Sequence, residues 1–149
     1  MATRYAHFNI IAADWKRLCD FYEQVFDCEP VSTERDHHGP KIDALTAIPN
    51  VRVQGRHLRV PGHGENGPTI EIFTCSEHAP DQPRPLNRPG LAHMAFEVDD
   101  MDTTRTQVKE LGGDDNGELV TIDIEGAGQL TLLYMTDPEG NIVELQNWH

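Results

Sequence analysis

Apolar residues recur at every second position in several short runs, the spacing of half-buried strands. They recur at every third or fourth position in two longer runs, the spacing of helices. Residues 4–11 alternate, with Ala6, Phe8 and Ile10 on one face and Tyr5, His7 and Asn9 on the other. This run predicts a strand. Asp14 then caps a helix reaching about Phe26, with Trp15, Leu18, Tyr22 and Val25 as its apolar stripe. Residues 91–98 predict a matching strand, with Ala92, Met94, Phe96 and Val98 opposed to Leu91, His93, Ala95 and Glu97. Asp99, Asp100 and Asp102 follow and open a helix through Leu111, whose inner face is Met101, Thr104, Val108 and Leu111 and which Gly112-Gly113 stops.

The two stretches also end alike. Residues 69–74 form an alternating strand with Ile70 and Ile72 opposed to Glu71 and Phe73. Residues 141–148 form its counterpart, with Val143 and Leu145 opposed to Glu144 and Gln146. Asp137-Pro-Glu-Gly140 before the second fits a type I turn. Further strands are predicted at 51–60 and 129–136, with shorter ones near 28–33 and 119–124. Each half therefore reads strand-helix-three strands, a βαβββ unit, at 1–75 and 91–149. They are joined by a linker, 76–90, that carries Pro80, Pro83, Pro85 and Pro89. Each unit is small for independent stability, so the pair is read as one domain, 1–149. The excess length at 34–50, with His37 and His38, reads as a surface loop or lid.

Composition narrows the function classes. The 149 residues carry 12 basic and 25 acidic side chains, a net charge of −13, which weighs against binding to nucleic acid or an acidic membrane. The acidic excess lies mainly after residue 75 and reads as a solvated face. No apolar run is long enough for a membrane helix, and the N-terminal residues lack a signal-peptide core. Cys19, Cys28 and Cys75 have no metal-type spacing; an odd count without a secretion signal predicts free thiols and a cytoplasmic protein.

The helices must cover the apolar strand faces, so His7, Glu71, His93 and Glu144 all point away from them. They occupy equivalent places in the repeat: one His on the first strand of each half, one Glu on the last. Two imidazoles and two carboxylates at matched positions have the chemistry of a divalent metal site, whereas a lone carboxylate on a buried face is costly without a partner. A scattered, solvent-facing set is the alternative reading of the same four residues.

At these residues the sequence resembles the vicinal oxygen chelate superfamily, which includes glyoxalase I, methylmalonyl-CoA epimerase, extradiol dioxygenases and the fosfomycin- and bleomycin-resistance proteins. The matching segments are Ala6-His7-Phe8-Asn9-Ile10 with Phe21-Tyr22-Glu23, Ile70-Glu71-Ile72-Phe73, Gly90 to Asp100, and Asp137 to Leu145. The resemblance implies an α+β fold of paired βαβββ modules forming an open, barrel-like mixed sheet around a metal, with helices on the outer face. It also implies His7, Glu71, His93 and Glu144 as metal ligands. Glu at position 71 is similar to glyoxalase I, where methylmalonyl-CoA epimerases tend to have Gln. Ile11 and Cys75 stand where glyoxalase I has its glutathione-binding Arg and Asn, so glutathione use is not implied. Members that resemble this chain often pair as homodimers.

The resemblance thus predicts a metal-dependent lyase or isomerase. A Ni²⁺, Co²⁺, Zn²⁺, Mn²⁺ or Fe²⁺ ion holds two adjacent oxygens of a small-molecule substrate and stabilises an enediolate, while Glu144 or Glu71 removes the proton. Extradiol cleavage with Fe²⁺ on His7, His93 and Glu144, a CoA-ester epimerase, and a non-catalytic binding or resistance protein are the alternatives. Tyr5, Asn9, Phe73 and Trp148 fall on the metal-facing side as substrate-binding candidates. Arg52, Arg56 and Arg59 either meet an anionic substrate or balance local carboxylates. His37, His38, His57, His63, His78 and His149 read as loop histidines rather than ligands.

Overall fold

The computed structural model describes residues 2–149. It divides into two compact units, Met1–Asp81 and Gln82–His149, each an α+β layer built on a five-stranded mixed sheet. In chain order the first unit holds β1 (His7–Ile11), α1 (Trp15–Phe26), β2 (Glu29–Pro30), β3 (Arg35–His38), α2 (Pro40–Thr46), β4 (Arg52–Arg59) and β5 (Thr69–Cys75). The second holds β6 (His93–Glu97), α3 (Met101–Glu110), β7 (Asp114–Asp115), β8 (Val120–Ile124), β9 (Gly128–Thr136) and β10 (Ile142–Trp148). No helix among the described residues is long and apolar enough to cross a membrane.

The repeat is carried by the topology. In the first unit the strand order is β1-β5-β4-β2, with β3 also on β4; in the second it is β6-β10-β9-β7, with β8 also on β9. In each, the first strand runs parallel to the last, and the rest of the ladder is antiparallel. The second strand of the expected βαβββ module is broken into two short pieces against one neighbour. Glu29 pairs with Arg59 and Arg35 with Gly55; in the other unit Asp114 pairs with Thr136 and Val120 with Leu132.

Both long helices start where the sequence places them. The Asp14 carboxylate accepts from the Arg17 backbone N–H, and Asp100 accepts from Thr103 N–H and its hydroxyl, which satisfies donors left free by the first turn. α1 lies against β4 and β5 and buries Trp15, Leu18, Tyr22 and Val25 over Ile10, Leu58, Ile70 and Ile72. α3 packs on β10 and β7, and Val108 joins Leu133, Met135, Val143 and Leu145 in the core of the second unit.

The segment read as a surface loop is ordered secondary structure. β3 pairs along β4 from Arg35 to His38, and α2 follows with Pro40 in its first turn, where a missing N–H costs nothing. Ile42 and Ile48 from this excursion pack on Val51, Val53 and Phe73, a small cluster on the sheet face away from α1. His37 and His38 are thus strand residues.

The Asp137-Pro-Glu-Gly turn forms as expected, with Gly140 N–H donating to the Asp137 carbonyl. Asp137 is buried. Its Oδ1 accepts from the backbone of Glu139 and of Asn141 at 2.9 Å each, and its Oδ2 from the Asn141 amide at 2.8 Å. Arg84, within the proline-rich stretch, donates to Asn141 Oδ1 and to the Glu139 carbonyl at 2.7 Å. That half of the stretch is anchored on the turn instead of hanging as a free linker.

Candidate metal centre

In the first unit, strand alternation delivers His7 and Asn9 on β1, Glu71 and Phe73 on β5, and Val53 and His57 on β4 to the face opposite α1. β5 lies between the other two strands, so Glu71 has neighbours on both sides. Asn9 is its register partner on β1 and His57 its partner on β4. Asn9 Nδ2 donates to Glu71 Oε1 at 2.9 Å, His57 Nε2 lies 2.9 Å from Oε2, and His7 Nε2 lies 3.8 Å from Oε1. The other ring nitrogen of His57 faces the Thr69 hydroxyl at 3.4 Å. Burial holds the His57 imidazole below its ordinary range, against the pull of Glu71.

The second unit repeats the motif. His93 Nε2 lies 2.9 Å from Glu144 Oε2, and Gln146 Nε2 donates to Oε1 at 2.5 Å. Tyr134, the register partner of Glu144, stands where the first unit has His57. Burial, then the Glu144 charge and a hydrogen bond to it, push the Tyr134 phenol up. Its ring meets His93 edge-on, with centroids 5.0 Å apart. Glu144 is 6% exposed, so its charge has left water and relies on these partners.

Each unit therefore brings its predicted His and Glu together: His7 with Glu71, and His93 with Glu144. The donor chemistry fits a divalent ion of the borderline transition-metal type, since neutral imidazole and carboxylate are its usual protein ligands. In the first unit His7, His57 and Glu71 offer ligand atoms all within 4.8 Å of one another.

The reading of His57 as a loop histidine is corrected: it sits mid-strand on β4, beside Glu71. Residues 51–60 carry apolar side chains on both faces, Val51 and Val53 on one and Leu58 on the other. Alternation alone could not say which face looks toward the site. Only the cross-strand register places His57 there.

The substrate-binding candidates separate. Asn9 touches Glu71. Phe73 is buried against Val51 and Val53, with its ring edge-on to His57 at 5.9 Å. Tyr5 precedes β1 and is 64% exposed, and Trp148 is exposed at the end of β10. The three arginines face carboxylates. Arg52 pairs with Asp36 at 2.5 Å, Arg59 with Glu29 at 3.5 Å, and Arg56 approaches Glu34 at 3.9 Å while lying over Trp15 on the helix side.

The chain matches the Glyoxalase/Bleomycin resistance protein/Dioxygenase superfamily over residues 4–145, and it belongs to that family. Its structure is similar to a glyoxalase family protein from Bacillus cereus, at 17% identity and TM-score 0.81, covering 99% of this chain and 95% of that one. It is also similar to a glyoxalase family protein from Enterococcus faecalis, at 23% identity and TM-score 0.58 over 97% and 96% of the two chains. A third similar structure is the fosfomycin resistance protein FosX from Listeria monocytogenes in complex with Mn(II) and sulfate. It is 15% identical with TM-score 0.57, over 100% of this chain and 95% of that one. No curated protein matches the chain. The likeness establishes the fold, which among the described residues comprises three helices and two five-stranded mixed sheets.

Proposed function

We propose that the protein is a metal-dependent lyase or isomerase of the glyoxalase I type, acting on a small molecule by removing a proton next to a carbonyl. His7 and Glu71 in the first unit, and His93 and Glu144 in the second, are the proposed ligands for a divalent cation, Ni²⁺, Co²⁺, Zn²⁺, Mn²⁺ or Fe²⁺. The observation that carries this reading is the duplicated pair: a first-strand His beside a last-strand Glu in both units, at 3.8 Å and 2.9 Å. When bound, the cation supplies Lewis-acid stabilisation for negative charge developing on two adjacent substrate oxygens.

The chain's own residues do the rest. Glu144 is the base: its carboxylate is shielded from water and oriented by His93 on one oxygen and Gln146 on the other. Glu71, steadied by Asn9 and His57, is the second carboxylate able to take a proton. Phe73 and Asn9 line the same face as Glu71, and Tyr5 in the first unit and Trp148 in the second are further proposed substrate contacts. Ile11 is exposed and carries no charge to hold a glutathione carboxylate, so another acceptor or thiol adduct is the expected substrate. A cytoplasmic homodimer completes the proposal; the free thiols of Cys19, Cys28 and Cys75 suit a reducing compartment.

The test is metal identification on the purified protein, followed by assay with methylglyoxal plus several thiols, a 2-methyl acyl-CoA epimer, and a catechol. Metal-dependent isomerisation of a hemithioacetal is the expected result. Oxygen uptake with the catechol and Fe²⁺ would replace it with ring cleavage. Turnover of the CoA ester would make the protein an epimerase, and no bound metal after reconstitution would favour a binding protein. Sedimentation at micromolar concentration decides the dimer.

A further inference from the structure

Four side chains are accounted for by the repeat; His57 is not. Its counterpart in the second unit is Tyr134, which stands opposite Glu144 as His57 stands opposite Glu71. The halves therefore differ at one chemically decisive position. The second unit has one imidazole and one carboxylate beside a phenol, whereas the first has two imidazoles and a carboxylate.

The three donors sit on three neighbouring strands, with Glu71 in the middle. His7 and His57 approach it from opposite sides, with ring centroids 5.7 Å apart and planes at 89°, and their ligand atoms fall within 4.8 Å of one another. Donors about 2 Å from a common ion stand about 3–4 Å apart, so only small side-chain adjustments bring all three onto one cation. Asn9 braces the carboxylate, and the Thr69 hydroxyl lies near the far nitrogen of His57, leaving the near nitrogen toward Glu71. Ligands fixed on strands and braced from behind are held more rigidly than ligands on loops.

We propose that the first unit holds a divalent transition-metal ion by itself, with His57 as a third donor beside His7 and Glu71. The inference shares His7 and Glu71 with the proposed function and needs neither His93 nor Glu144. Two imidazoles and one carboxylate favour Fe²⁺, Co²⁺, Ni²⁺ or Zn²⁺ over the hard ions Mg²⁺ and Ca²⁺, which take oxygen ligands.

The experiment is Co²⁺ binding to the full chain, followed by calorimetry and by visible and near-ultraviolet absorption. The proteins are the natural chain, His57→Gln, His57→Cys, and the double variant His93→Gln/Glu144→Gln. The double variant is expected to keep one Co²⁺ per chain. His57→Gln is expected to weaken binding by more than the roughly 10- to 100-fold that loss of a residue merely supporting a ligand costs. His57→Cys puts a thiolate at the donor position and is expected to add a thiolate-to-cobalt charge-transfer band absent from the natural chain. This band reads ligation directly, even if His57→Gln folds poorly.

An unchanged affinity in His57→Gln, together with no new band in His57→Cys, overturns the inference. Loss of Co²⁺ in the double variant with a silent His57 overturns it too and leaves the four-residue site standing. Retention in the double variant with loss in His57→Gln supports the inference.

Discussion

Glu144 and His93 meet at 2.9 Å from adjacent parallel strands, with Glu144 6% exposed. A carboxylate kept out of water is a liability for folding unless it serves a purpose. Replacing it with Gln removes the charge while keeping the shape. Glu144→Gln is therefore expected to lower turnover by about 10²- to 10⁴-fold and to reduce, without abolishing, the rise in melting temperature that added metal produces. The metal-free variant should melt no lower than the natural chain. Calorimetric melts with and without metal, beside the activity assay, check the split; full turnover in the variant would remove Glu144 from the chemistry.

Gly55 lies on β4 opposite Phe73. A Cβ there would run into the Ile72 carbonyl and the Phe73 ring, with the Phe73 Cα 2.8 Å away. The absence of a side chain lets the Phe73 ring lie across the strand beside His57. Gly55→Ala is expected to destabilise the fold by about 1–3 kcal/mol through overpacking. It should also disturb Phe73 and, through it, His57. Urea denaturation measures the first effect and the chemical shifts of the His57 ring the second.

Asp115 is drawn down to about 2, first by its hydrogen bonds from Arg105 and then by Lys109. An unfolded Asp titrates near 3.9. The contribution to stability is therefore complete above about 4 and is lost as the pH falls through about 2. Asp115→Asn is expected to lower the melting temperature by a few degrees at pH 7. The two melting curves should converge near pH 2, and a gap that persists there would mean that the side chain acts by packing.

Cys19 and Cys28 are buried, and burial pushes both thiols up to about 12; Cys75 is raised less and is partly exposed. At neutral pH a disulfide reagent should label Cys75 in the native chain and reach all three thiols only after unfolding. Rapid native labelling of Cys19 would show that α1 opens from the sheet.

The parts of the molecule legible in the sequence are those fixed by local chemistry. Asp14 and Asp100 cap helices because a carboxylate satisfies first-turn N–H groups, and the stripe from Trp15 to Val25 marks its face by spacing alone. The His and Glu pairs were legible because the repeat duplicates them. What escaped depends on pairing across distant strands. His57 joins Glu71 only through β4–β5 register. Residues 35–46 form a strand and a helix because Ile42 and Ile48 find Val51, Val53 and Phe73. Pro40 opening the Lys41-Ile42-Asp43 turn was the one local sign of that helix.

The buried Asp137 turn sets where β10 begins, and with it which side chains of that strand face the site. A strand displaced by one residue turns every side chain over, which would send Glu144 toward α3 and bring Val143 into its place. Protein engineers seeking new substrates should therefore leave positions 137–141 at their present length and diversify the exposed bend at 61–66, keeping the Val60–Pro68 hydrogen bond that closes it.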